Sequence, residues 1–361
     1  MKTVIVGNGI VALTAAHRIA QRGGEVAIIG DPARPGSATL AAAAMLNSFA
    51  ELDASSLGTT ADRDKFSLSR SATERWHELA AELSITIDTG TCVLGGADDP
   101  NFDAIVTALR AHGEPHALID PDRVPGYAPV QRAARAVRID REGWTDPRRA
   151  MVALDRVLAA MPHVERIDGR GITFDAEGVA VTGGRVVTGT HYLIANGASL
   201  SSFLTTTALA ERVQRMRYGV GTTLEIALGG HTACLRASGV YSVPRGDHVV
   251  VGSTNLLADA PIEDPTAAAR ILAAASERLD RRFATAPIVR ANVGWRPTAV
   301  DRYPLIGRTS MPNVLIASGT RRDGFHMAPV IADQLADLLD DRPGDPRFAG
   351  FAPERVPLAV D

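Results

Sequence analysis

Gly7, Gly9 and Ala12 stand at the spacing G-x-G-x-x-A, directly after the β-branched run Thr3 to Val6. Small residues in that pattern suit a strand that turns sharply into a helix. The first glycine permits the turn, the second lets backbone approach a pyrophosphate, and the alanine allows the helix to lie close on the sheet. The chemistry is binding rather than bond-breaking, because N–H groups at a helix start favour the anionic phosphates of a dinucleotide. Asp31 closes the unit about 20 residues on, where a carboxylate can accept from a ribose diol and disfavour a 2′-phosphate. Gly30 occupies the strand end where that acid usually stands, so Asp31 is displaced by one residue.

The elements that position these residues follow from periodicity. Ile10, Leu13, Ala16 and Ala20 form one face of the first helix, Gly23 and Gly24 end it, and Val26 to Ile29 form a second strand. SATLAAAAMLNSFAE, from Ser37 to Glu51, is either a tightly packed alanine helix or a stretch of backbone lying against something flat. Asp62 to Leu83 is an amphipathic helix whose apolar set is Phe66, Leu68, Trp76, Leu79 and Leu83. Ile85 to Leu94 alternates like a strand, Phe102 to Ala111 is a helix, and Pro121 to Pro129 is an irregular connection.

Asp146 and Pro147 suit the cap and first position of a helix through Leu158. A hairpin is expected at Ile172 to Phe174 and Val179 to Val181, and a strand runs to Ala195 before Asn196-Gly197-Ala198-Ser199. Gln214 to Leu228 and Gly239 to Ser253 are strand-rich and precede a helix over Thr266 to Phe283, which suggests an antiparallel sheet. Val314 to Ala317, the glycine loop after it and the helix ending near Leu339 return to the nucleotide pattern, leaving a proline-rich tail from Pro343. The expected fold class is α/β with an α+β second domain. A discontinuous Rossmann-like domain takes 1–78, 137–206 and 292–361, and an inserted antiparallel-sheet substrate domain takes 79–136 and 207–291.

Composition sets the limits. A chain of 361 residues with 45% hydrophobic and 22% charged residues can bury a substantial core. A net charge of −3 leaves no basic footprint for nucleic acid. No apolar run suggests a membrane span and no leader is visible, so the expected location is cytoplasmic. Cys92 and Cys234 are too few for a disulfide framework or a zinc site, and no metal is expected. Lys2 and Lys65 are the only lysines.

The assembled markers GNGIVA, SATLAAAAML, ANGAS, YSVPR, GWRPTAVDRYPLIG and SGTRRDGFHMAP occur in order along the chain. In them the chain resembles the flavin-dependent amine oxidases of the D-amino-acid oxidase family, most closely the glycine oxidase and sarcosine-oxidase-like members. The resemblance implies FAD, its adenosine end on the first unit and its ring between the domains. The implied contacts are Gly7, Gly9, Ile10, Val11, Asp31, Ser37, Ala38, Thr39, Ala43, Ala44 and Met45 on the N-terminal side. Further contacts are Ala195, Asn196, Gly197, Arg296, Arg322, Asp323, Gly324, Phe325, His326 and Met327. Neither cysteine lies where sarcosine oxidases attach flavin, so the FAD is expected to be non-covalent.

Tyr241 and Arg296 match the residues that hold the substrate carboxylate, and Arg322 matches an arginine at the site mouth, a role Arg321 beside it could also serve. A guanidinium meets a carboxylate through two hydrogen bonds and a phenol adds another donor. Departures from the pattern are Ala44, where glycine is commoner, and Asn255, His326 and Met327, expected to alter the pocket wall. The implied reaction oxidises the Cα–N bond of glycine or an N-substituted glycine by hydride transfer to flavin N5. O2 then gives H2O2, and imine hydrolysis gives glyoxylate and an amine. A D-amino-acid oxidase, a dehydrogenase using another acceptor, and a non-catalytic flavin-binding module are the alternatives. Thiazole formation and a specialised pathway suit the resemblance equally, and self-association is left open.

Overall fold

The computed structural model describes residues 1–169, 173–174, 180–182, 184–200, 216–311 and 313–355. The N-terminal unit forms as its pattern predicts: strand β1 (Lys2–Val6), helix α1 (Ile10–Gln21) and strand β2 (Glu25–Gly30). Gly23, with φ +83°, turns the chain out of α1, and the N–H groups of Gly23 and Gly24 bond back to the Ala20 and Ile19 carbonyls. The two strands run parallel at the centre of a six-stranded sheet in the order Leu305–Arg308, Val314–Ser318, His191–Ile194, β1, β2, Val164–Asp168. Only Leu305–Arg308 runs antiparallel to its neighbour. Register places Ile5 between Leu193 and Ile28, so buried aliphatic residues stack across the sheet.

A second sheet of ten strands carries the other half of the molecule. Its pairings are antiparallel except between β4 (Asp88–Gly95, which follows β3 at Met45–Leu46) and Cys234–Ala237. Its longest pairing joins Arg217–Ile226 to Ile288–Thr298. Every strand of the six-stranded sheet lies within 1–78, 137–206 or 292–361. The ten-stranded sheet also takes in Met45–Leu46, and two of its strands, Arg135–Trp144 and Ile288–Thr298, run through the expected boundaries at 137 and 292. Strand His116–Ile119, unrecognised in the sequence, pairs with the first of these.

Helix α2 (Thr60–Leu83) begins two residues earlier than periodicity alone gives, because Thr59 and Asp62 form a reciprocal capping box. Its five expected apolar residues are all buried. Asp146 caps Pro147–Ala159 through the Arg148 and Arg149 N–H groups, as its position implies. The expected helix over Thr266 to Phe283 is shorter, Ala267–Arg278, followed by a 3-10 turn capped by Asp280. In the expected hairpin Phe174 pairs with Ala180; its residues Ile172 and Val179, and Gln214 ahead of Arg217–Ile226, lie outside the described residues. The described part of the proline-rich tail, to residue 355, folds onto the body, where Phe348 and Phe351 are buried. Among the described residues no helix is long and apolar enough to cross a membrane.

Ser37 to Glu51 is not a helix: apart from Met45–Leu46 it is turn and extended backbone between the two sheets. Alanine is the best intrinsic helix former, so tertiary partners decide here. The Ala41 carbonyl accepts from Thr223 Oγ1 (2.9 Å), that of Ala43 from Arg245 (2.5 Å) and that of Ala44 from the Thr145 N–H (3.1 Å). Ala44 has φ +54°, a left-handed conformation in which a Cβ is strained and which glycine adopts more readily.

Helix Gly324–Leu339 packs against both α1 and α2. The Trp76 ring, fully buried, stacks on Phe325 at 4.9 Å, and its indole N–H donates to the Phe325 and His326 carbonyls at 3.2 and 2.7 Å. Trp76→Ala is expected to cost about 3–5 kcal/mol, read from urea unfolding. A change within about 0.5 kcal/mol, as at a surface position, would show that this contact does not hold the helix.

Candidate active site

The two sheets enclose an elongated cavity of about 600 Å³ that starts at the turn after β1 and ends beside Tyr241, Arg296 and Arg322. At its first end a Cβ on Gly7, whose φ is +125°, would overlap the Ala195 carbonyl, so only glycine brings the turn this close to the neighbouring strand end. No side chain of the Gly9 cap position caps α1, and its first turn contains no acid, which leaves the helix start suited to an anion. Thr39 Oγ1 accepts from the Ile10 N–H at 3.1 Å and ties the alanine-rich segment to this end. Asn196 Oδ1 and Trp295 Nε1, both on residues that line the cavity, are buried with no partner among the described residues. A glycine cradle, a helix start free of acidic residues and two orphaned polar atoms fit a dinucleotide.

Gly30 has a local cause. A Cβ there would lie 2.6 Å from Asn8 Cγ, and Asn8 Nδ2 donates to the Asp31 carbonyl at 2.8 Å. Asn8 therefore fills the space of a strand-end side chain. Asp31 lines the cavity and accepts from the Ala33 N–H at 2.8 Å.

The far end is built on the ten-stranded sheet. Arg296 donates to the Thr254 carbonyl (3.0 Å), Asn255 Oδ1 (3.3 Å) and Ser253 Oγ (3.2 Å), all neutral acceptors. Burial lowers its pKa, and Arg322 and Arg321 add repulsion. Burial raises the Tyr241 phenol, with Ser253 hydrogen-bonded beside it. Gly221 and Gly252 make room for both: a Cβ on Gly221 would run into the Arg296 guanidinium, and one on Gly252 would lie 2.6 Å from the Tyr241 oxygen. Strand-interior glycines of this kind signal close approach and could have marked this wall in the sequence.

The structure brings most of the expected residues to this cavity. Gly7, Gly9, Ile10, Val11, Asp31, Ser37, Ala38, Thr39, Ala43, Ala44, Met45, Ala195, Asn196, Gly197, Tyr241, Arg296, Arg322, Gly324 and Phe325 line it. Asp323, His326 and Met327 do not. The Asp323 carboxylate would be raised by burial, but Lys65 Nζ at 2.5 Å outweighs that and holds it low. His326 and Met327 belong to helix Gly324–Leu339 rather than to a loop, and both are buried. Asn255 acts on the wall through Arg296. Residues unmarked in the sequence also line the cavity, chiefly Glu51, Arg236, Ser253 and Trp295. Neither cysteine lines it; both are buried in the ten-stranded sheet, where burial pushes their thiols up to about 11 and 12.

Behind the wall lies a buried polar chain. Glu142 accepts from the backbone N–H groups of Ser48 (2.5 Å), Phe49 and Ala50 (3.1 Å), and burial still pushes its carboxyl up to about 7. Ser48 Oγ meets Thr73 Oγ1 at 3.3 Å, and Thr73 meets His326 Nε2 at 3.1 Å. Burial pushes His326 down to about 4. The two groups act on stability with opposite signs. Glu142, raised above the unfolded value of about 4.3, contributes fully below that value and loses its contribution as pH rises through about 7. His326, depressed below about 6.5, contributes fully above that value and loses its contribution as pH falls toward about 4. Relative to the native protein, Glu142→Gln should make Tm fall more steeply on acidification from about pH 6.5 to 4.5, and His326→Gln less steeply. Melting curves that stay parallel to the native ones would remove both groups from the pH response.

A family model described as FAD dependent oxidoreductase matches residues 2–338. Among curated relatives, the bifunctional protein ThiO/ThiG of a Nostoc species is 28% identical over 367 residues, covering 96% of this chain and 54% of that one. The chain thus spans about half the length of the curated relatives it matches. Among solved structures, iminodiacetate oxidase from Chelativorans sp. BNC1 superposes with a TM-score of 0.82 at 20% identity, over 97% of this chain and 98% of that one. Glycine oxidase from Geobacillus kaustophilus superposes with a TM-score of 0.82 at 21% identity, over 99% and 98%. At these identities the likeness is one of fold.

Proposed function

This chain belongs to the FAD-dependent oxidoreductase family, with FAD as its cofactor, and from that premise we propose that it oxidises the Cα–N bond of glycine or an N-substituted glycine. The observation that carries the reading is Arg296: a guanidinium on the cavity wall, held by neutral acceptors, with no carboxylate paired to it among the described residues. Such a charge calls for an anionic ligand, and a carboxylate fits its two-pronged geometry. The names of two similar structures, glycine oxidase and iminodiacetate oxidase, agree with a carboxylate-bearing amine.

In this reading the residues divide the work. Gly7, Gly9 and the start of α1 would hold the pyrophosphate of FAD, Asp31 its ribose, and the segment around Ala43 to Met45 its ring. The six-stranded sheet then serves the cofactor and the ten-stranded sheet the substrate. When bound, FAD supplies a two-electron acceptor for the hydrogen on the substrate Cα. Arg296 and Tyr241 fix the carboxylate, which leaves the Cα–N bond one orientation in the cavity, and that positioning is the protein's main contribution. The overall reaction consumes the amine, O2 and water and yields glyoxylate, the freed amine or ammonia, and H2O2.

The test is anaerobic bleaching of the flavin band by glycine, sarcosine, longer N-alkylglycines and D-alanine, followed by a peroxide assay in air. Bleaching by glycine-type amines supports the reading, and a yellow protein that none of them bleaches removes it. Arg296→Ala should retain FAD and lose roughly 10- to 100-fold in kcat/KM, mostly through KM, as expected for a lost charged hydrogen bond. Unchanged kinetics would take Arg296 out of the substrate site.

A further inference from the structure

The substrate end of the cavity holds four guanidiniums, from Arg236, Arg296, Arg321 and Arg322, and one carboxylate, Glu51. The other acid in the lining, Asp31, belongs to the opposite end, beside the glycine turn. A glycine-type substrate arrives as a zwitterion. Its carboxylate is met by Arg296, but its protonated nitrogen enters a wall of like charge unless an anion faces it. Building on the functional reading above, we propose that Glu51 accepts a hydrogen bond from the substrate nitrogen, so that the site takes up glycine-type amines as zwitterions read at both ends.

Glu51 is held from two sides. Arg236 donates to Glu51 Oε1 at 2.5 Å, and the Glu142 carboxylate grips the backbone N–H groups of the three residues just before Glu51. The second oxygen is 4.0 Å from Arg322, beyond hydrogen-bond distance, and accepts from no other group among the described residues. A carboxylate fixed through one oxygen, with the other unused in a cavity, is an acceptor without its donor.

Register sets its partner beside the carboxylate end. Arg236 lies directly opposite Tyr241 in the pairing of Cys234–Ala237 with Val240–Arg245. The Glu51 charge acts on both the Tyr241 phenol and the Arg296 guanidinium, which puts its carboxylate beside the carboxylate end. An α-amino acid separates its carboxylate from its nitrogen by a single carbon, so an acceptor for the nitrogen has to stand beside the carboxylate anchors, as Glu51 does. If Glu51 did no more than neutralise Arg236, no charged acceptor among the described residues at this end of the cavity would favour a substrate nitrogen over an ether oxygen.

That difference is the test. The FAD-loaded protein, reduced with dithionite so that no turnover occurs, is titrated calorimetrically with sarcosine and with methoxyacetate, which replaces the N–H by an ether oxygen. The native protein should bind sarcosine at least about tenfold more tightly. Glu51→Gln should weaken sarcosine about tenfold or more and leave methoxyacetate within about twofold, which also shows that the variant is folded and loaded. Equal affinities in the native protein, equal weakening of both ligands in Glu51→Gln, or no change for either overturns the proposal; the native comparison decides it alone if the variant fails to fold. A native protein that is bleached by sarcosine but shows equal affinities sinks the role of Glu51 only. One that no glycine-type amine bleaches or binds sinks the functional reading along with it.

Discussion

Buried backbone amides and carbonyls must be hydrogen-bonded, and between Ala41 and Ala50 the helix that would ordinarily do this is absent. The partners come from elsewhere in the chain. Thr223 and Arg245 reach in from the ten-stranded sheet for the Ala41 and Ala43 carbonyls, Thr145 takes that of Ala44, and Glu142 collects the three N–H groups of Ser48, Phe49 and Ala50. A carboxylate sealed from water is costly, and three donors around it offset much of that cost. With the segment held flat, Ala43, Ala44 and Met45 form a thin wall between the sheets, and Glu51 reaches the cavity. A helix here would fill that space with its own cylinder, about 10 Å across.

The cavity's charge is assembled from partners as much as from the arginines themselves. Arg34 is fixed by both oxygens of Asp155, and Arg236 by Glu51. Arg296 differs in being held by neutral acceptors, so its position is set without its charge being cancelled. The arrangement needs a sheet with gaps, and Gly221 and Gly252 supply them by removing side chains where the guanidinium and the phenol lie. Lys65 is withdrawn from the site by Asp323, and His326 faces α2 through Ser69 and Thr73, so neither places a proton-transfer group in the cavity.

Elements with a strong local pattern were legible from residue order. The β1–α1–β2 unit, the apolar stripe of α2 and the Asp146 cap each depend on neighbours within a few residues. Periodicity could not decide where partners distant in sequence do: it left the alanine-rich segment open between helix and flat backbone, and it missed strand His116–Ile119. Most of the site residues expected from the family resemblance also line the cavity. Asp323, His326 and Met327 do not, because their directions are set by the packing of helix Gly324–Leu339 against α2, which a motif does not encode.

By itself the sequence determined that a dinucleotide could be held: small residues at fixed spacing between a strand and a helix impose that turn through steric limits on a few successive dihedrals. It also determined the supply of charge, with arginines in number and only two lysines. Which of those charges face one cavity was decided by tertiary structure alone. Glu51 and Arg236 are 185 residues apart, and Thr254 and Arg296 are 42 apart. Their meeting depends on sheet register, and a one-residue slip would turn each side chain to the opposite face.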